Sequence, residues 1–493
     1  MGLFLVCHVC LKASTWQISG IWQKKKGASV NVKWLSVFFG YFFQTKSGRG
    51  SLSRLSLAKP VTDTACEKLD LGHVLAVEPV TEMKVRDCLV SAPGKAILHG
   101  EHAVVHGKVA LAVSLNRRTY LHLKATSDGT VCINLPNIDT FLCWNLSELK
   151  QLLPFFCGQR EVGQRLDFDL LKRLRDFMGL TNGNLDTSNM ATLTFLYIYM
   201  SLFGSGELPS LKVSVWSELP TGAGLGSSAA YSVCLAAALL CASGAIPGPL
   251  KEWDHTARWH QEDLELINSW AFQGEMIIHG NPSGVDNTVG TWGGMLRFLA
   301  GKIIPLSRVP LLRILLTNTK VPRSTKVLVA RVKDRINKFP PIMIPVLDTV
   351  DAVSSTCEKV LTEMTREPIT GEHYKTLEEL IDINQHLLNV MGVGHPALDM
   401  VCRVTLAKGL HSKLTGAGGG GCGITLLRPE TDSAIIQSTM QDLKDCGFDC
   451  WETSIGGPGV QQHSPFSIKE DILEILNRYG VPRVTEQEDG LTL

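Results

Sequence analysis

A lysine, a Glu-His pair and two glycine-rich loops are the residues here whose types and spacing suit chemistry on phosphate. In Leu219-Pro-Thr-Gly-Ala-Gly-Leu-Gly-Ser-Ser228, glycines at 222, 224 and 226 carry no Cβ to hold the backbone away from an anion. The loop opens through Ser227 and Ser228 onto an apolar stretch ending at Ala242, so its N–H groups meet the positive end of a helix dipole. It is no Walker A loop, because no Gly-Lys-Ser/Thr follows at the required spacing, and it lacks the Gly-x-Gly-x-x-Gly dinucleotide spacing. The plain alternative is a tight turn with a serine cap. Upstream, Val90-Ser-Ala-Pro-Gly-Lys-Ala-Ile-Leu-His-Gly-Glu-His-Ala-Val-Val-His-Gly107 sets Lys95, Glu101 and His102 into an apolar strand pattern, where buried polar groups need partners. Lys95 supplies the cation that the loop lacks, a point charge for phosphate or for an ionising hydroxyl. For Glu101 or His102 taken singly, a hydrogen-bonded turn pair is the simpler reading. A third segment, Gly416 to Gly423, holds six glycines in eight residues. That density marks close backbone approach or positive φ, whereas a flexible linker would be richer in serine.

The elements that must position these groups are legible nearby. Leu211, Val213 and Val215 alternate like a half-buried strand before the first loop, and Ala229 to Ala242 reads as a buried helix after it. Leu311 to Leu316 and Ile424 to Leu427 read as strands, and Leu377 to Met391 as an amphipathic helix with Leu380, Ile383, Leu387 and Leu388 on one side. Pro282 and Gly284 put Asp286 on a turn after the helix bearing Glu275. Glu275 itself could face solvent, since Trp270, Phe272, Ile277 and Ile278 already account for apolar packing on that helix. Ser467-Ile-Lys-Glu470 is a capping-box pattern before Ile472, Ile475 and Leu476.

Taken in order, these motifs resemble the GHMP kinase superfamily, and within it the mevalonate kinase family. The resemblance rests on Pro93-Gly-Lys95 with Gly100-Glu-His-Ala-Val-Val-His-Gly107, on Glu218 to Ala230, and on Lys413-Leu-Thr-Gly-Ala-Gly-Gly-Gly-Gly-Cys-Gly-Ile-Thr-Leu426. It runs from about Met83 to about His463, with insertions and substitutions between 140 and 205. Galactokinases resemble the chain here but carry arginine in place of this lysine and a Thr-Asp pair after the histidine.

The resemblance implies an α+β fold in two domains with the active site in the cleft between them. The N-terminal domain, 83–309, would be like the second domain of a small-subunit ribosomal protein and bind ATP. The C-terminal domain, 310–465, would be ferredoxin-like, followed by a helix and tail at 466–493. The implied reaction moves the γ-phosphoryl of ATP to the 5-hydroxyl of mevalonate. In that pattern Asp286 is the general base and Lys95 its catalytic partner. Nucleotide contacts fall to Lys95, Asn137, Ser217, the loop residues Gly222, Ala223, Gly224, Leu225, Gly226, Ser227 and Ser228, and Gly416, Ala417 and Gly418. Mevalonate contacts fall to Lys95, Glu101, His102, Tyr231, Asp286 and Thr325, and Mg²⁺ contacts to Ser228 and Glu275. A homodimer and feedback inhibition by prenyl diphosphates are also implied.

Composition agrees with an enzyme of small molecules. At 493 residues the chain has room for two or three domains. A net charge of +1 and the lack of a basic, aromatic-interleaved stripe argue against nucleic acid. No apolar run reaches the roughly 18 residues of a membrane span. The 14 cysteines sit in apolar and strand-like contexts that suit reduced, buried thiols better than a disulfide framework. A cytoplasmic location is expected, with a peroxisomal one left open, although Leu491-Thr-Leu493 is not a Ser-Lys-Leu address. Residues 1–82 match nothing in the family and read as an alternative or wrongly assigned start, disordered and dispensable for catalysis. Within them Cys7-His-Val-Cys10 is a lone CxxC, which makes no zinc site without a second pair.

Two other readings stay in view. A catalytically silent GHMP-fold sensor would keep the glycine loops but lose catalytic positions, and Lys95, Ser228, Glu275 and Asp286 are all intact. A neighbouring enzyme, such as phosphomevalonate kinase, mevalonate diphosphate decarboxylase or a galactokinase-like protein, would need other contacts. The Glu101-His102 pair suits an uncharged hydroxyl end better than a further phosphate.

Overall fold

The computed structural model describes residues 85–153, 166–180, 186–204, 206–306 and 309–478. The readings made for residues 1–82 and for the tail beyond 478 lie outside these. The strands are β1 (Cys88–His99), β2 (Ala110–Ala125), β3 (Thr130–Leu135), β4 (Thr140–Asn145), β5 (Leu211–Ser217), β6 (Thr256–Ala257) and β7 (Met295–Leu299). They continue with β8 (Lys302–Leu306), β9 (Leu312–Asn318), β10 (Ser412–Leu414), β11 (Cys422–Leu427), β12 (Asp449–Ile455) and β13 (Gln461–His463). Hydrogen bonding runs β10-β11-β9-β12-β2-β1-β13-β6, with β5 and β7 also pairing to β2, β3 to β5 and β4, and β8 to β7.

The two halves of the α+β fold are therefore joined edge to edge. β9, β10, β11 and β12 belong to the second half, and a single pair, Leu115 with Ile455, links them to β2. The chain then returns to the first half, where β13 pairs with β1 and β6.

β5 ends at the phosphate-cradle loop, and the helix Ser227–Ala242 begins where the loop stops. This helix is apolar on every side, so it must be buried all round to be stable. Ala236, Ala237, Ala238, Leu239 and Leu240 are fully buried in the main core. Each such leucine is worth about 1.5–3 kcal/mol relative to exposure, which fixes the helix and hence the loop at its N-terminus.

Several sequence readings need correcting. On the helix Gly371–Met391 the inward residues are Leu377, Leu380, Ile381, Leu388 and Met391, while Ile383 is exposed. The helical period links 377 to 381, 384 and 388, so Ile383 falls on the opposite side. The capping box at Ser467 does not form. Pro465–Ser467 makes a 3₁₀ turn that takes the Ser467 hydroxyl to the Ser464 carbonyl at 2.9 Å, and the helix Glu470–Asn477 starts later, behind Lys469. The cysteines are not all thiols. Cys132 and Cys143 face each other across the β3–β4 pair, with Cα atoms 4.0 Å apart, and are joined as a disulfide. Cys88, Cys234, Cys357, Cys422 and Cys450 are free and buried as expected. No described helix is long and apolar enough to cross a membrane.

Candidate active site

Lys95 lies on β1 against the glycine loop, its backbone N–H donating to the Leu225 carbonyl at 2.8 Å. Its ammonium is 3.3 Å from Asp286 Oδ1. Asp286 is not on a turn. It is in the first turn of the helix Val285–Trp292, behind Gly284 at φ 81. Gly284 takes the left-handed conformation that the turn signal required, and the helix starts one residue later. A carboxylate in the first turn is favoured by the helix dipole.

The loop lies directly over this ion pair. Gly226 has φ 73, and a Cβ there would stand 3.0 Å from Lys95 Cγ and 3.7 Å from Asp286 Oδ2. Gly226→Ala therefore meets both a backbone penalty of about 1–2 kcal/mol and the lysine stem. We expect a lower melting temperature together with reduced turnover, measured by thermal unfolding and initial rates. A variant with wild-type stability and rate would mean that the loop has slack at this point.

A cavity of about 880 Å³ opens in front of these groups. Lys95, Glu101, His102, Tyr231, Asp286 and Thr325 all reach its wall. So do Asn137, Ser217, Gly222, Gly224, Gly226, Ser227, Ser228, Gly416 and Ala417. Ala223, Leu225 and Gly418 do not line it. Two of them anchor the loop through their backbones, Ala223 by accepting from Arg323 and Leu225 by accepting from Lys95. Asn137 and Ser217 hold each other, with Asn137 Nδ2 donating to the Ser217 carbonyl at 3.0 Å and Ser217 N–H to Asn137 Oδ1 at 2.7 Å. The Tyr231 hydroxyl donates to Ala191 O at 2.7 Å. Glu101 reaches the wall, but its carboxylate is fully buried against Lys413.

Glu275 is buried, not solvent-facing, on the helix Gln261–His279. One carboxylate oxygen, Oε1, has no hydrogen-bond partner, and the other is 3.9 Å from His279 Nε2. Burial, and after it the Asp286 charge, pushes the Glu275 carboxyl up to about 7, against the pull of Ser228 and Lys95. His279 in turn is 2.9 Å from Ser228 Oγ. An orphaned acidic oxygen beside a serine hydroxyl at a phosphate loop is a donor set that suits a hard divalent cation. Among the described residues no cluster of three or more acidic, histidine or cysteine side chains forms a metal cage.

Two cavity residues escaped the sequence reading. Arg323 donates from Nη2 to Ala223 O at 2.7 Å and from Nη1 to Gly420 O at 3.1 Å, bridging the two glycine loops. Gly421, at φ 70, leaves the room that the guanidinium occupies. No spacing around Arg323 announces this, since the loops it joins are 97 and 100 residues away. His279 had a signal, its place one helical turn after Glu275.

Family models match on both sides of the cavity, that of the GHMP kinases N terminal domain over residues 192–294 and that of the GHMP kinases C terminal over residues 365–444. Mevalonate kinase of Bos taurus is 58% identical over 390 residues, covering 79% of this chain and 98% of that protein. The chain belongs to the mevalonate kinase family. The Homo sapiens member is 57% identical with the same coverage, and the Arabidopsis thaliana member 38% identical over 75% of this chain and 98% of its own. The fold is that of the solved Methanococcus jannaschii mevalonate kinase, with a TM-score of 0.55 at 20% identity, covering 76% of this chain and all of that one. The structure of L. major mevalonate kinase in complex with R-mevalonate aligns with a TM-score of 0.53 at 22% identity, over 75% of this chain and 95% of that one.

Proposed function

We propose that this member of the mevalonate kinase family transfers the γ-phosphoryl of ATP to the 5-hydroxyl of (R)-mevalonate, giving 5-phosphomevalonate and ADP. The observation that carries the reading is the Lys95–Asp286 pair at 3.3 Å, directly beneath the loop that cradles phosphate. Asp286 accepts the proton of the acceptor hydroxyl as its oxygen bonds to the γ-phosphorus and the bond to the bridging β,γ-oxygen breaks. Lys95 stabilises the negative charge that develops on the attacking oxygen. The N–H groups between Gly222 and Ser228 hold the donor phosphates, and Arg323 keeps the two glycine loops at a fixed spacing around them. Since the transition state is loose, most of the acceleration comes from this positioning and from cations.

Mg²⁺ completes the reading, with Ser228 and the unpartnered oxygen of Glu275 as its protein ligands. When bound with ATP it neutralises charge on the β- and γ-phosphates. Asn137 and Ser217 form the nucleotide end of the pocket, and His102, Tyr231 and Thr325 the mevalonate end. The same reading takes a second copy of the chain as assembly partner, prenyl diphosphates as competitors of ATP, and the cytoplasm as the location.

The test is ADP release by the purified chain with ATP and magnesium, run with mevalonate, phosphomevalonate, galactose and homoserine side by side. We expect mevalonate-dependent ADP release with 5-phosphomevalonate as product. Turnover of another compound instead would move the chain to a neighbouring activity, and ATP binding without any turnover would make it a sensor.

A further inference from the structure

Among the described residues, Lys413 and Glu101 form a buried charged pair that the chemistry above does not use. Lys413, on β10, donates to Glu101 Oε1 and to the Leu414 carbonyl at 2.7 Å, and both charged side chains are fully buried. Asn384, on the helix Gly371–Met391, donates to the other carboxylate oxygen, Glu101 Oε2, at 3.0 Å. Both partners come from the second half of the fold, and Glu101 follows β1 in the first. A buried pair of this kind is weak evidence of stability, because the cost of removing two charges from water offsets most of the attraction. Its presence calls for another account.

That account lies in the next residue. His102 has φ 60 and ψ −42, and the Ala103 N–H donates back to the Glu101 carbonyl at 2.6 Å. This is a γ-turn of the strained hand, centred on a residue that is not glycine. Such a conformation persists only where the surroundings over-determine it, and it concentrates at functional sites. The turn is held on one side by the Glu101 carboxylate. On the other, His102 Nε2 is 2.8 Å from the Ala417 carbonyl in the second glycine loop. Between them Thr415 Oγ1 donates to the Ile97 carbonyl and accepts from the Ile97 N–H, both at 2.9 Å, two residues along β1 from Lys95. The segment from Lys413 to Ala417 is therefore stitched to the segment from Lys95 to His102 at three places.

We propose that Lys413 and Asn384 are positioning residues for phosphoryl transfer: by holding the Glu101 carboxylate they keep the strained turn at His102 closed, and so set the Lys95 strand against the glycine loop at Gly416. Glu101 is then a positioning residue as well, acting through the backbone of its neighbour and not by contact with the acceptor. The inference rests on the kinase reading above. Lys413 does not line the cavity, so any effect of its loss on the chemical step must travel through this contact.

The experiment compares wild type with Lys413→Met, Glu101→Leu and the double variant, in the full chain, by thermal unfolding and by steady-state kinetics in both substrates. Wild type must first turn over mevalonate; if it does not, the kinase reading fails and the variants are not needed to say so. Each single variant leaves a buried charge without its partner and should lower the melting temperature strongly. The double variant removes both charges and should regain much of that stability, yet its kcat should stay about 10–100-fold below wild type, the scale of an ångström-sized misplacement, with the KM for ATP little changed. A double variant with wild-type kcat overturns the proposal and leaves the pair as packing alone. Should the double variant not fold, Asn384→Leu keeps the ion pair and removes one bond to the carboxylate. We then expect faster hydrogen exchange at the Ala103 amide and a kcat lowered about fivefold, the scale of one hydrogen bond. Unchanged exchange with unchanged kcat would equally overturn it.

Discussion

Asp286→Asn should leave the fold and nucleotide binding intact and lower turnover by about 10²–10⁴-fold, the range associated with a positioned general base. The geometry makes this substitution a clean one. Asparagine matches aspartate in size, and the first turn of the helix Val285–Trp292 accepts it without loss of a cap, because the N-cap residue is Gly284 and no side chain caps the helix. What disappears is the proton acceptor and the charge opposite Lys95. The lysine is mostly shielded from solvent, at 13% exposure, and loses its counter-charge at 3.3 Å. A change in kcat with an unchanged KM for ATP locates the loss in the chemical step. Turnover near that of wild type would remove Asp286 from the base role and leave positioning by Lys95, Arg323 and the loops as the source of acceleration. Thermal unfolding of the same variant separates these outcomes from a folding defect, since the expected shift is small.

The parts of the site that were legible in the sequence are those whose function constrains backbone. Glycines at 222, 224 and 226 all have φ between 71 and 73, and this run of left-handed residues between an alternating strand and an apolar helix could be recognised from residue types alone. Lys95 and Glu101 were visible as charges in an apolar strand pattern, where each had to have a partner. Which partner was not visible. Lys413 is 312 residues from Glu101, and no local pattern encodes that pairing. Arg323 escaped for the same reason. The Cys132–Cys143 bond depends on strand register, and 11 residues of separation with a turn between them do not announce it. The exposed Ile383 is a local error of a different kind, where a residue of the right type was assigned to the wrong side of a helix. The misplaced helix start near Ser467 shows competition between two local signals, in which a 3₁₀ turn headed by Pro465 takes the place of the capping box.

Glu275→Gln removes a direct ligand and should raise the magnesium requirement by more than the roughly 10–100-fold that loss of even an outer-shell partner typically costs, measured by magnesium titration of both nucleotide binding and turnover. The more specific expectation concerns pH. In the metal-free protein, burial and the Asp286 charge raise the Glu275 carboxyl to about 7. Its folded value thus exceeds its unfolded one, so the folded protein binds the extra proton between the two. The resulting stabilisation is fully present below the unfolded value and is lost as pH rises through about 7. The cation requires the ionised form, so it must displace that proton wherever the carboxyl is protonated. Apparent magnesium affinity in wild type should therefore fall about tenfold per pH unit below that point and flatten above it. Glu275→Gln has no proton to displace and should flatten this dependence while lowering affinity throughout. An unchanged metal titration in the variant would reduce Glu275 to a buried carboxylate that His279 and Ser228 merely accommodate. A wild-type affinity independent of pH, alongside a weakened variant, would mean that the site ionises before the metal arrives.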